Sequence, residues 1–301
     1  MAFAFKQRND IEGQVRKIAR KQIEKALEDC RGTDDPFDVV VHNLRRHCKK
    51  LRGLVQLIRP HFKDDKKENR AFRDAAQALA GTRDATVMVE TFTALVGFDR
   101  VQKHGATIQH GDMLLDWLRG QVGAPPNASE QTEILADFAK AFESADKRAK
   151  SWSLSGSGFE RIGDGLEDTY RLMRTGLKEA EREGTPEALH EWRKQTKYHW
   201  HHVSLLKLAA PDVLGPRKAC LDRLGELLGD HHNLAVLDDT LRRHKEAASK
   251  ADLILVRKAV AQWQGKLADG AFELGRQLAA EKPSMLRDRF EQYWSLLPKK
   301  D

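Results

Sequence analysis

Between Val41 and Leu57 the chain reads VHNLRRHCKKLRGLVQL, with five lysines and arginines, two histidines and no acid. Such a residue set suits the holding of anionic oxygens. Guanidinium forks bind phosphate or carboxylate bidentately, ammonium groups act as point charges, and a neutral imidazole donates one hydrogen bond. At about 100° per residue on a helix, His42, Arg45, Arg46, Lys49 and Arg52 share one side, with Lys50 in the same segment. Leu44, Leu51, Val55 and Ile58 fall on the other side, so an apolar face anchors a cationic stripe.

The pattern recurs. Leu189–Leu206 reads LHEWRKQTKYHWHHVSLL, and an offset of 148 residues puts His190 on His42, Arg193 on Arg45, Lys194 on Arg46 and Lys197 on Lys49. A second echo follows each copy. Leu79-Ala-Gly-Thr-Arg83-Asp84 resembles Leu228-Gly-Asp-His-His232-Asn233 at an offset of 149. Two ordered matches at nearly one offset argue for internal duplication.

For one such helix taken alone, a solvated basic face is the simpler reading. Repulsion shifts the balance, because like charges at i, i+4 cost roughly 0.2–0.5 kcal/mol per pair and exposed helices relieve this with acids. Residues 41–57 have none, and 189–206 have only Glu191. Retaining that repulsion twice makes sense if a polyanion cancels it. His42 and His190 stand open to two readings, core residues satisfied by a carbonyl or ligand contacts one turn before an arginine. Asp84 and Asn233 read as positioning a basic partner or capping helices that begin at Gly81 and Gly229, with Arg83 and His232 reaching toward the anion.

The motif His-x-x-Arg-(Arg/Lys)-x-x-Lys followed by an LGxxRDxxVL-like segment, all repeated, resembles the CHAD domain (conserved histidine α-helical domain) from about Val15 to Trp294. The resemblance implies an all-α fold with two four-helix-bundle-like halves, related by a pseudo-twofold around a central basic groove or pore. It implies binding of inorganic polyphosphate without catalysis or cofactor, and association with cytoplasmic polyphosphate granules. Some relatives are fused to a triphosphate-tunnel domain of the CYTH type. Carried onto this sequence, the polyphosphate-binding set is His42, Arg45, Arg46, Lys49, Lys50, Arg52, His190, Arg193, Lys194, Lys197 and His201, extended by Arg16, Arg20, Arg83, Arg171 and Arg174. Arg171 and Arg174 stand loosely where Lys17 and Arg20 stand in the first half. Other phosphate-rich polyanions are further expected partners, and nucleic-acid or acidic-protein binding is the alternative.

A metal-dependent phosphohydrolase is the third reading, prompted by His199, His201, His202, His231 and His232. Histidines two apart do not share a helix face, and His-Glu-x-x-His spacing is absent, so no metal site is expected. On the wheel His201 joins the basic stripe, while His199 falls opposite with Trp192 and Val203 as a core histidine. Trp117, Trp152, Trp263 and Trp294 read as core, and the first basic helix has no aromatic to interleave with its cations. That weakens base stacking.

The supporting elements read as helices throughout: Ile11–Asp29, the His42 helix ending at Pro60, Lys63–Leu79, Thr82–Val96, Gln102–Gln121, Ser129–Lys150, Phe159–Arg182, the His190 helix, Val213–Leu228, His231–Lys245, and helices from Ala251 and Met285. No run of alternating β-branched residues suggests a sheet. Ser151–Gly158 (SWSLSGSG) has linker composition at the midpoint, dividing the chain into halves 1–150 and 159–301. The 301 residues suffice for an adequate core without staples. The charge of +7 comes from 52 basic against 45 acidic residues, and matters less than its concentration on two segments. Three scattered cysteines, no apolar leader core and no long uncharged apolar run point to a reducing, cytoplasmic setting without a membrane span.

Overall fold

Caps and apolar stripes set where each helix starts and which face it buries. Asn127 and Glu130 form a reciprocal capping box, and Thr185 and Ser249 accept from the backbone amides of Ala188 and Asp252. The computed structural model describes residues 3–32, 35–79, 84–102, 111–122, 124, 126–244, 247 and 249–299. Among them are α1 (Ile11–Cys30), α2 (Phe37–Ile58), α3 (Asp65–Ala78), α4 (Asp84–Gln102), α5 (Gly111–Gly120) and α6 (Ala128–Ala149). Then come α7 (Glu160–Glu183), α8 (Pro186–Leu206), α9 (Pro211–Arg243), α10 (Lys250–Leu278) and α11 (Pro283–Ser295). The class is all-α, with no strand among the described residues.

Helix α1 packs on α2 and α6, α2 on α3, and α3 on α6; α7 packs on α8, α10 and α11, α8 on α9, and α9 on α10. Helix α2 also packs on α7 and α8. One apolar core therefore runs from Val15, Leu44, Leu51 and Phe142 through to Leu166, Trp192 and Leu224. A second core forms where α4 and α5 cover the far end of the α9–α10 pair, around Phe92, Leu95, Leu118, Leu237 and Val256.

One of the sequence expectations needs correction. Gly229-Asp230 does not break a helix: α9 is continuous for 33 residues, and Asn233 lies inside it rather than at a cap. A single helical glycine costs only about 1 kcal/mol against alanine, and here Gly225 and Gly229 are buried facing α8 side chains. The midpoint segment 151–158 is irregular, as its composition suggests, but it is pinned. Trp152 packs on Phe62 at 5.0 Å, Leu154 N donates to Glu12 Oε2 at 2.8 Å, and Ser155 N donates to the His61 carbonyl at 3.0 Å. Among the described residues no helix is long and apolar enough to cross a membrane.

Candidate polyanion interface

Helix α2 buries Val41, Leu44, Cys48, Leu51, Val55 and Ile58 and turns its cations outward. Arg46 and Lys49 are exposed; His42, Arg45, Lys50 and Arg52 are half-buried. The described hydrogen bonds of the three arginines go to neutral oxygens. Arg45 Nη1 donates to the Leu79 carbonyl at 3.4 Å and Arg46 Nη1 to Asn43 Oδ1 at 3.4 Å. Arg52 reaches across two helices, to Asn69 Oδ1 on α3 at 3.0 Å and Tyr198 Oη on α8 at 2.8 Å. Burial, then Arg46 and Lys25, push the Lys50 ammonium below its ordinary value, with Asp29 on α1 opposing them. The other histidine of the segment, His47, faces α1 instead: its Nδ1 lies 3.1 Å from Gln22 Oε1, and burial brings it down to about 4.

The α8 stripe has different surroundings. Helices α8 and α9 run antiparallel in a register that places His190 against His232, Arg193 against Gly229 and Lys197 against Gly225. The two imidazoles lie 4.1 Å apart between centroids. Burial and the neighbouring Arg193 and Lys194 lower His190; His232 falls to about 4 through burial, then His190, Arg193 and His231. Arg193 and Lys197 are each lowered by burial, opposed by Asp230 for the arginine and Asp222 for the lysine. Lys197 Nζ stands 3.6 Å from Asp222 Oδ1, and Lys194 Nζ 2.7 Å from Glu191 Oε1. Arg193 Nε is buried without a hydrogen-bond partner among the described residues.

The two basic helices meet where Gly53 passes His201. A Cβ on Gly53 would stand 2.6 Å from the Cβ of His201, so only a glycine permits this approach. His202 Nε2 lies 3.1 Å from the Gly53 carbonyl at the same crossing. His201 is therefore packed inside the junction, edge-on to Phe3 and Trp200, and is not part of the outward stripe where the helical wheel put it. Burial is the main cause holding it down to about 3; His202, Lys197, Lys50 and Lys49 add to it. The cations of α2 and α8 thus act together on one buried ring.

The remaining site residues lie elsewhere. Arg16 pairs with Glu12 and donates to the Trp152 carbonyl at 2.6 Å, and Arg20 pairs with Asp146 at 2.9 Å. Both line a recess of about 710 Å³ between α1 and α6. Arg171 pairs with Asp168 and Glu167, and Arg174 donates to the Ala279 carbonyl at 2.9 Å, beside a recess of about 460 Å³ at the start of α11. Arg83 and Gly81 lie outside the described residues. His199 is a core residue as expected, fully buried with its Nε2 3.3 Å from Arg217 Nη2. No group of three His, Cys, Asp or Glu among the described residues is arranged to hold a metal ion.

Tyr198, Asn69 and Phe3 join the cationic junction although nothing in their local sequence marks them. Asp222, Glu226 and Asp230 do carry a legible signal, a carboxylate every fourth residue on one face of α9.

The family profile described as CHAD domain matches residues 16–242. The chain is also similar in structure to PptA from Streptomyces chartreusis, at a TM-score of 0.59 and 12% identity, over 91% of this chain and 100% of that one. That likeness concerns the fold. Comparison with curated protein sequences gives no match.

Proposed function

This chain belongs to the CHAD domain family, and from that premise we propose that it binds inorganic polyphosphate non-catalytically in a basic groove between α2 and α8. The observation that carries the reading is the α2–α8 crossing, where Gly53 packs against His201 and Arg52 of one stripe bonds Tyr198 on the helix that carries the other. A linear inorganic anion laid across this crossing would touch both stripes. His42, Arg45, Arg46, Lys49, Lys50 and Arg52 form its first wall, and His190, Arg193, Lys194 and Lys197 its second. Phosphate repeats have no base edges, so recognition depends on charge, spacing and groove width.

The duplicated, pseudo-twofold arrangement, with halves 1–150 and 159–301, belongs to the same proposal. It is supported by contacts that recur at the sequence offsets: Arg52 touches Asn69 on α3, and 148 and 149 residues later Trp200 meets Lys218 on α9. Association with polyphosphate granules follows from the ligand.

Trp200 also favours a second reading. Its ring has Lys218 Nζ at 4.5 Å and Lys197 Nζ at 5.7 Å, an interleaving of aromatics and cations that single-stranded nucleic acids use. Competition separates the two: long polyphosphate should displace a labelled oligonucleotide at far lower phosphate concentration than the reverse. If about six phosphates are neutralised at roughly −0.7 per contact, log affinity should fall against log salt with a slope near −4. The exposed pair Arg46→Glu with Lys49→Glu should abolish binding with helicity intact. A salt-independent affinity, or full affinity in that variant, would overturn the site. Phosphate release from polyphosphate on adding Mg²⁺ or Mn²⁺ would overturn the non-catalytic part.

A further inference from the structure

The two basic stripes differ in what faces them. Asp222, Glu226 and Asp230 recur every fourth residue along α9, beside the glycines over which Arg193 and Lys197 lie. Asp222 is in ion-pair range of Lys197, Glu226 also acts on that lysine, and Asp230 acts on Arg193. The positions 149 residues earlier, on or just after α3, are Arg73, Gln77 and Gly81. In the sequence register the α2 stripe has no such acidic row opposite it; the acid acting on Lys50 and Arg46 is Asp29 on α1. The arginines of α2 bond neutral oxygens instead.

We propose that Asp222, Glu226 and Asp230 act as an internal competitor for Arg193 and Lys197, so that the α8 wall admits only anions dense enough in charge to displace them. This rests on the polyanion reading above and makes these three residues determinants of specificity. An anion arriving at α8 must take Lys197 from Asp222 and reach Arg193 past the neighbouring charge of Asp230, lying alongside all three carboxylates. Juxtaposed like charges are a strong device against wrong partners. Inorganic polyphosphate carries its charges on adjacent phosphates, so it offers several per cation at once and offsets the repulsion. In a nucleic acid a sugar separates the phosphates, so fewer charges reach the same cations against the same carboxylates. The α2 wall discriminates little; the α8 wall discriminates through α9.

The test is the triple variant D222N/E226Q/D230N, measured beside wild type with long polyphosphate and with a single-stranded oligonucleotide of equal phosphate count. A triple of equal charge change on the exposed face of α6, E133Q/D137N/E143Q, controls for net charge. The α9 triple should bind the oligonucleotide about tenfold more tightly and polyphosphate only about threefold more tightly, narrowing the preference. The α6 triple should shift both ligands equally and less. The reciprocal variant R73D/Q77E should weaken the oligonucleotide more than polyphosphate, which keeps the test informative if the α9 triple folds poorly. An unchanged preference in the α9 triple, or the same change in the α6 triple, overturns the competitor. Wild type that fails to bind polyphosphate overturns the underlying reading instead.

Discussion

The Arg52 guanidinium donates to Tyr198 Oη at 2.8 Å, tying the middle of one basic helix to the other. The same guanidinium donates to Asn69 Oδ1 through Nε, so its plane is fixed from two sides by neutral partners, and its charge remains for an anion. Tyr198→Phe removes one of those anchors and no charge. Polyphosphate affinity should fall about three- to tenfold with helicity unchanged, the scale of one ordinary net hydrogen bond. Arg52→Lys keeps the charge but cannot span both partners, and should lose at least as much. Titration of both variants at fixed ionic strength checks this.

Two glycines in the basic region predict opposite outcomes for the same substitution. In Gly53→Ala the new methyl meets the Cβ and ring root of His201, atoms fixed by the helix crossing. Overpacking of that kind costs about 1–3 kcal/mol, which for a chain this size should lower Tm by roughly 2–6 °C. In Gly225→Ala the methyl meets the far end of the Lys197 side chain, which can swing away. The helix-propensity gain of about 1 kcal/mol then dominates, so Tm should hold or rise. A melting curve for each variant distinguishes a fixed contact from a movable one.

The parts of this arrangement that depend on local spacing are legible in the chain. The apolar side of α2 is visible in the positions of Leu44, Leu51, Val55 and Ile58, all buried. His199 reads as core from its place on the wheel, and is. What escapes is set by partners far away in sequence. His201 shares the wheel face of the lysines, yet a glycine on another helix lets that helix close over it. Gly229-Asp230 looks like a break because glycine punctuates isolated helices, but packing against α8 carries α9 through it. The hydroxyl of Tyr198 becomes part of the site only because Arg52, 146 residues away, reaches it.

Stability of the α3–α6 contact should depend on one ion pair. Arg148 Nε and Nη2 donate to Glu68 Oε1 and Oε2 at 2.6 and 3.0 Å, and the Glu68 side chain is 2% exposed. Arg148→Ala leaves that carboxylate buried without its partner, which should cost roughly 3–5 kcal/mol. The double variant E68L/R148M removes both charges while keeping the bulk, and should recover most of the loss. Urea unfolding of the two variants measures the difference, and a single variant as stable as wild type would show that water reaches Glu68.

Acid should unfold this protein through its buried histidines. Burial holds His201 and His202 down to about 3 and His47 and His232 to about 4, with His199 well below its ordinary 6.5. In the unfolded chain each titrates near 6.5. Between pH 6.5 and about 4 the unfolded state therefore binds more protons than the native one, so stability falls as pH falls, at about 1.4 kcal/mol per pH unit for each such group. Asp29 and Asp230, raised mainly by burial, act in the opposite sense only in the carboxylate range and are fewer. Five depressed histidines draw down several kcal/mol over the first unit below 6.5, a large part of the stability of an ordinary domain. The unfolding midpoint should accordingly lie at roughly pH 5 in buffers of constant ionic strength free of phosphate. His202→Gln should flatten the pH dependence between 6.5 and 5 by one proton's worth, since glutamine can still donate toward the Gly53 carbonyl that His202 Nε2 now meets. A slope identical to wild type in that variant would mean that His202 already takes up its proton in the folded chain.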